Sequence, residues 1–135
     1  MKILVVDDMV ENRMLLSGFL SEFGQCDMAV NGVEAVELVE AALAEEMPYN
    51  LILLDIMMPK MDGLAALRAM RTKEQEYGVM GSKESVIIMV TADSSPDSVT
   101  QAFFKGYCTD FLPKPITRQV LFDKLNEYKL VTQKG

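Results

Sequence analysis

The run Ile3-Leu4-Val5-Val6-Asp7-Asp8 decides the fold. Four consecutive apolar residues that stop abruptly at two carboxylates have the pattern of a short strand buried on both faces of a parallel sheet. Two further runs repeat it: Leu51-Ile52-Leu53-Leu54 ahead of Asp55, and Val86-Ile87-Ile88-Met89-Val90 ahead of Thr91. Weaker strands are expected at Cys26–Ala29 and at Asp110–Leu112, the latter just before Lys114-Pro115.

Helical patterns fill the intervals. From Glu11 to Phe23 the apolar residues Leu15, Leu16, Phe19, Leu20 and Phe23 recur at helical spacing and predict an inward stripe. Asn31 with Glu34 has capping-box spacing, and the helix it opens is expected to turn Val33, Val36, Val39 and Leu43 inward, with Glu34, Glu37 and Glu40 in solvent. Gly63 opens a third helix through Leu64, Leu67 and Met70, and the polar stretch Thr72 to Ser85 reads as a surface loop. Ser95-Pro96 starts a helix that runs to Lys105-Gly106, since proline is favoured at a first helical position. Thr117 caps the last helix, with Val120, Leu121, Leu125 and Tyr128 expected on its inner face.

This alternation predicts an α/β fold, a doubly wound five-stranded parallel sheet with helices on both faces. Such sheets bind ligands beyond the carboxyl ends of their strands. Asp7, Asp8, Asp55, Thr91 and Lys114 all fall there.

Composition narrows the chemistry. A length of 135 residues suits one domain. Asp and Glu number 20 against 13 Lys and Arg, a net charge of -7 that argues against direct contact with nucleic acid or an anionic membrane surface. With no histidine in the chain, proton or phosphoryl chemistry falls to carboxylates, hydroxyls or lysines. The two cysteines, Cys26 and Cys108, form no metal or redox motif and read as buried thiols. No apolar stretch approaches the ~18 residues that cross a bilayer, so a soluble, cytoplasmic protein is expected.

Three carboxylates converging on one pocket need a cation, because two of them ~5 Å apart repel by about 3 kcal/mol at an effective dielectric of 20. An all-oxygen donor set favours Mg2+, and Lys114 adds a further positive charge. Such a site suits phosphoryl transfer, with Asp55 attacking phosphorus and the metal, Lys114 and the Thr91 hydroxyl holding the equatorial oxygens.

Together, Ile3 to Asp8, Leu53-Leu54-Asp55-Ile56-Met57-Met58-Pro59-Lys60-Met61-Asp62-Gly63, Val90-Thr91-Ala92 and Phe111-Leu112-Pro113-Lys114-Pro115 resemble the receiver domain of two-component response regulators, similar to the single-domain chemotaxis type. The resemblance covers essentially the whole chain. It implies a flavodoxin-like sheet of strand order 2-1-3-4-5, a receiver domain over residues 1–130 and a frayed tail at 131–135. It also implies that Asp55 accepts a phosphoryl group from a phosphohistidine of a sensor histidine kinase or histidine phosphotransfer protein. Asp8 would ligate Mg2+ directly and Asp7 through water, with Asp55 and the Met57 backbone carbonyl completing the metal set. Thr91 and Phe111 would form the switch pair, Lys114 would contact the phosphoryl group, and the Lys114-Pro115 bond would be cis. Thr72 to Ser85 and Val10-Glu11-Asn12-Arg13 resemble receivers attached to hybrid kinases. Only Leu130 to Gly135 follow the last helix, so output is expected through binding a downstream protein rather than through an attached effector domain.

Two enzyme classes share part of this pattern. A haloacid-dehalogenase-like phosphatase needs a second aspartate two residues past its nucleophile, and here that position is Met57, which cannot move a proton. A flavodoxin-type redox module needs a phosphate-binding loop after the first strand, where Asp7 and Asp8 would repel the flavin phosphate. A phosphorylation-independent interaction module is the remaining alternative.

Overall fold

The computed structural model describes residues 1–56, 62–91 and 108–131. Five strands, β1 (Lys2–Val6), β2 (Gln25–Ala29), β3 (Leu51–Asp55), β4 (Val86–Thr91) and β5 (Asp110–Pro113), form one sheet. All neighbours are parallel, in the order β2-β1-β3-β4-β5. The strand set and order match the expectation. Helices α1 (Val10–Leu20), α2 (Gly32–Ala44), α3 (Gly63–Glu76) and a C-terminal helix (Arg118–Glu127) cover the sheet, and a 3-10 turn spans Gly81–Lys83. The helix expected from Ser95 to Gly106, the Met57 position and most of the 131–135 tail lie outside the described residues.

The period of two along each strand divides the core into two layers. Ile3, Val5, Leu51, Leu53, Ile88 and Val90 face Leu16 and Leu20 of α1 and Leu121 and Leu125 of the C-terminal helix. Their strand neighbours Leu4, Val6, Ile52, Leu54, Ile87 and Met89 face Ala35, Val39, Ala42 and Leu43 of α2 and Ala66, Leu67 and Met70 of α3. Continuous apolar runs arise because both faces of each central strand are covered.

Three residues expected inside are exposed: Leu15, Val33 and Val120. In α2 the inward positions belong to the alanines at 35 and 42, whose small side chains let the helix sit close. Reading for bulk therefore missed the two alanines and wrongly included Val33, while Val39 and Leu43 are buried as expected and Val36 packs against them. In α1 and the C-terminal helix, Leu15 and Val120 each precede the buried residues Leu16 and Leu121 by about 100° of rotation.

The stretch from Thr72 to Ser85 is not a loop throughout. α3 continues to Glu76, and Gly78, at φ +73°, closes it with Val79 N–H donating to Glu74 O at 2.8 Å. The polar residues that suggested solvent are in part buried. The Arg71 guanidinium donates to Glu74 Oε1 at 2.7 Å and to Ser85 O at 2.9 Å, and Ser85 N–H donates to Glu74 Oε2 at 2.8 Å. Mutual satisfaction is what allows these groups inside.

Cys26 and Cys108 are both free and half-buried, one in β2 and the other just before β5, on opposite edges of the sheet. Burial, with help from the Asp110 charge, pushes the Cys108 thiol up to about 11, so it stays protonated at neutral pH.

Candidate functional site

The strand order reverses between β1 and β3, and the residues that end those strands meet there. Asp7 directly follows β1, Asp55 ends β3, Thr91 ends β4 and Lys114 directly follows β5. Parallel register, with Val6 opposite Leu54, Asp55 opposite Val90 and Thr91 opposite Pro113, brings these positions to one edge.

Carboxylate oxygens of Asp7, Asp8 and Asp55 lie within 4.8 Å of one another. Asp7 and Asp55 are 1% and 5% exposed, whereas Asp8 is open to solvent. Lys114 Nζ donates to Asp7 Oδ2 at 3.1 Å and to Asp55 Oδ2 at 3.0 Å. Burial alone would disfavour the ammonium, but its bonds to Asp55 and Asp7 outweigh that effect and raise its pKa. It is a fixed positive charge at neutral pH. The Lys114-Pro115 peptide is cis, in agreement with the resemblance.

Local packing sets the geometry. The α3 N-terminus abuts the end of β3 so closely that a Cβ on Gly63 would lie 2.3 Å from the Asp55 carbonyl oxygen. Gly63 N–H donates to Ile56 O at 2.9 Å, and Asp62 caps the helix by accepting from Ala65 N–H at 2.8 Å. Glycine thus serves as more than a helix start here.

Asp7 is held at every polar atom. Its N–H donates to Ala29 O at 3.2 Å and its carbonyl accepts from Arg13 Nη1 at 2.8 Å. Oδ1 accepts from Met9 N–H at 2.9 Å and, at the long distance of 3.5 Å, from Asn12 Nδ2, while Oδ2 belongs to Lys114. The Asp8 carboxylate has no hydrogen bond or ion pair among the described residues. One carboxylate is already occupied and the other is open to a ligand.

Four of the predicted site residues, Asp7, Asp8, Asp55 and Lys114, therefore converge. Thr91 ends β4 at the same edge, but its side chain, like Met57, lies outside the described residues. Phe111 is half-buried against the layer of α2 and α3, opposite Met89 and two register positions from the Thr91 pairing. Arg13 and Asn12 were not read as site residues. Their signal was position, with Asn12 four and Arg13 five residues after Asp8, about one helical turn past the strand end.

Lys114 contacts Asp7 and Asp55 but not Asp8, and one ammonium against three clustered carboxylates leaves a net negative charge suited to a divalent cation. All the candidate ligands are oxygens, which fits Mg2+. An open parallel sheet with an acidic, lysine-bridged pocket at its switch point fits the class of flavodoxin-like domains with a divalent-metal site.

The chain belongs to the response regulator receiver domain family, whose model matches residues 3–126. This is the domain through which two-component systems signal by phosphorylation. The probable chemotaxis protein CheY of Rhizobium etli is 34% identical over 118 residues, which cover 86% of this chain and 82% of that protein. The sensory/regulatory protein RpfC of Xanthomonas campestris is 32% identical over 133 residues, and the match spans 98% of this chain but 17% of that longer protein. Among solved structures, the receiver domain of the histidine kinase CKI1 from Arabidopsis thaliana, complexed with Mg2+ and BeF3-, superposes with a TM-score of 0.82. It is 27% identical, over 95% of this chain and 89% of that one.

Proposed function

We propose that Asp55 is the phosphoryl acceptor, that Asp7, Asp8, Asp55 and the Met57 carbonyl form a Mg2+ site, and that a phosphohistidine on a sensor histidine kinase or a histidine phosphotransfer protein is the donor. The observation that carries this reading is the Lys114 bridge between two buried carboxylates beside an open, unpartnered third.

In the transfer, an Asp55 carboxylate oxygen forms a bond to phosphorus as the P–N bond of phosphohistidine breaks. The electron pair of that bond returns to the imidazole nitrogen, and Asp55 becomes an acyl phosphate. Bound Mg2+ supplies positive charge to the phosphoryl oxygens. Lys114 reaches Asp55 Oδ2 from the β5 side and is placed to hold an oxygen of the incoming group. Burial of Asp55 keeps bulk water from its carboxylate.

Thr91 and Phe111, on adjacent strands, are the proposed route from the phosphoryl group to the surface, and the output is altered binding to a downstream protein. The chain's own catalysis is confined to its phosphorylation and slow self-dephosphorylation. A cytoplasmic location belongs to the same reading. It is supported by the free state of both cysteines, Cys26 and Cys108, which suits a reducing compartment.

Intact-mass measurement after exposure to a small phosphodonor or a phosphorylated kinase is expected to show one added phosphoryl group, lost on chelating Mg2+ and in Asp55→Asn. An equal rate in Asp55→Asn would refute the acceptor assignment.

A further inference from the structure

Asp8 differs from the other two members of the acidic cluster. Asp7 and Asp55 are buried and hydrogen-bonded, but among the described residues nothing holds the Asp8 side chain. Its direction is therefore set by its backbone.

That backbone lies between two peptide units, each fixed by one bond. The carbonyl of the Asp7-Asp8 unit accepts from Arg13 Nη1 at 2.8 Å, and the N–H of the Asp8-Met9 unit donates to Asp7 Oδ1 at 2.9 Å. Arg13 also donates its own backbone N–H to Met9 O at 3.1 Å. That second bond is the ordinary helix bond that any residue there would make, so only the guanidinium contact is particular to arginine. Met9, at the N-cap of α1, provides no side-chain cap that could substitute.

The guanidinium makes no ion pair among the described residues, and its one hydrogen bond there is to the Asp7 carbonyl. A half-buried arginine spent on a single backbone oxygen is unusual, since its planar fork can serve two acceptors. We infer that Arg13 is a positioning residue for divalent metal, acting through the Asp7-Asp8 peptide to aim the Asp8 carboxylate into the pocket. The inference rests on the proposed role of Asp8 as a direct ligand.

Groups that orient a metal ligand without touching the metal commonly contribute 10- to 100-fold in affinity. Arg13 acts through one peptide unit, so the lower end applies. The test is a Mg2+ titration of the wild type, Arg13→Gln and Arg13→Lys, followed by the amide NMR shifts of residues 7–9. The Mg2+ dependence of phosphorylation by a small acyl phosphate is measured in parallel, together with the melting temperature. Arg13→Gln is expected to raise the half-saturating Mg2+ concentration about tenfold in both readouts, with a much smaller effect on the rate at saturating Mg2+. Arg13→Lys, whose ammonium can still donate to the carbonyl, is expected to recover part of the loss, to about threefold.

An unchanged half-saturation with a lowered melting temperature would overturn the inference and leave Arg13 as an anchor of α1. If Arg13→Gln does not fold, the threefold shift in Arg13→Lys carries the test, and its absence counts against the inference. A wild type indifferent to Mg2+ would overturn the metal reading itself, and the role of Arg13 with it.

Discussion

The two ends of the sheet both gather charged side chains, and they treat them in opposite ways. At the amino end, Glu74, 2% exposed, faces Arg71, and both carboxylate oxygens and the guanidinium are engaged with each other or with Ser85. Ser85 Oγ in turn donates to Tyr49 O at 2.6 Å, and Thr109 Oγ1 accepts from Ile87 N–H at 3.0 Å. Charge cancels there. At the carboxyl end three carboxylates cluster, two of them share one lysine, and the third has no partner among the described residues. Buried charge that is fully matched fixes a structure, whereas charge left unmatched at a strand end invites a ligand.

The largest expected effect lies at the matched end. Glu74→Ala would leave the Arg71 guanidinium buried without its carboxylate and Ser85 N–H without its acceptor. Breaking one side of a buried pair costs about 3 to 5 kcal/mol, far more than the pair contributes relative to an apolar replacement. Urea unfolding should show a loss of that order, with Arg71→Met/Glu74→Leu recovering part of it. A loss below about 1 kcal/mol would mean that the amino end does not depend on the pair.

At the opposite end the corresponding constraint is steric. Gly63→Ala sets a Cβ 2.3 Å from the Asp55 carbonyl oxygen and 2.6 Å from Ile56 Cα, both backbone atoms. Relief requires α3 to move away from β3 and to carry the strand end with it. A destabilisation of about 1 to 3 kcal/mol is expected, together with slower phosphorylation in the fraction that remains folded. Retained stability with normal phosphorylation would show that the close approach is not what sets Asp55.

These two positions show how far the sequence could be read. The strands and the convergence of Asp7, Asp8, Asp55 and Lys114 were legible because each apolar run ends at its functional residue and parallel strands bring their ends together, whereas the strand order came from the resemblance to receiver domains. Gly63 was legible as a helix start, but its contact with the Asp55 carbonyl depends on where α3 docks. The Arg71 and Glu74 pair was missed because an Arg-x-x-Glu spacing has the same appearance on a solvated face. What takes the pair out of solvent is the return of Ser85, eleven residues past Glu74, which donates its N–H to the carboxylate and accepts from the guanidinium. Arg13 was passed over as a site residue for a similar reason, since its place a turn past Asp8 does not by itself disclose a bond from the side chain to a backbone carbonyl.

A third, smaller matched site lies between β5 and the C-terminal helix. Asp110 accepts from Tyr128 Oη at 2.6 Å, from Lys124 Nζ at 2.6 Å and from Phe111 N–H at 2.7 Å. Burial pushes the Asp110 pKa up, but these bonds outweigh it and hold the carboxyl below its ordinary value. Tyr128 is pushed above its ordinary value, first by burial and then by its bond to Asp110. The Asp110 contribution is therefore present above about pH 4 and lost as pH falls through its lowered pKa. The Tyr128 contribution is present below about pH 10 and lost as pH rises beyond it. Tyr128→Phe should cost about 1 kcal/mol at neutral pH. The gap from wild type should narrow as pH rises past 10. A gap that is constant with pH would show that the phenol is not linked to folding.

The smallest effect should also have the opposite sign. Asp8→Asn removes the carboxylate that no group neutralises, so in metal-free buffer it relieves repulsion from Asp7 and Asp55 without breaking any hydrogen bond among the described residues. Because Asp8 is solvent-exposed, screening limits the gain to roughly 0.5 kcal/mol. Removing a carboxylate from the amino end should thus destabilise the protein by several kcal/mol, while removing one from the carboxyl end should stabilise it slightly. The measurement is the urea midpoint of both variants in chelator at low ionic strength, where surface electrostatics are least screened. If Asp8→Asn is destabilised under those conditions, Asp8 has a structural role in the free protein. The contrast between a neutralised end and an end kept electrostatically open for a cation would then fail.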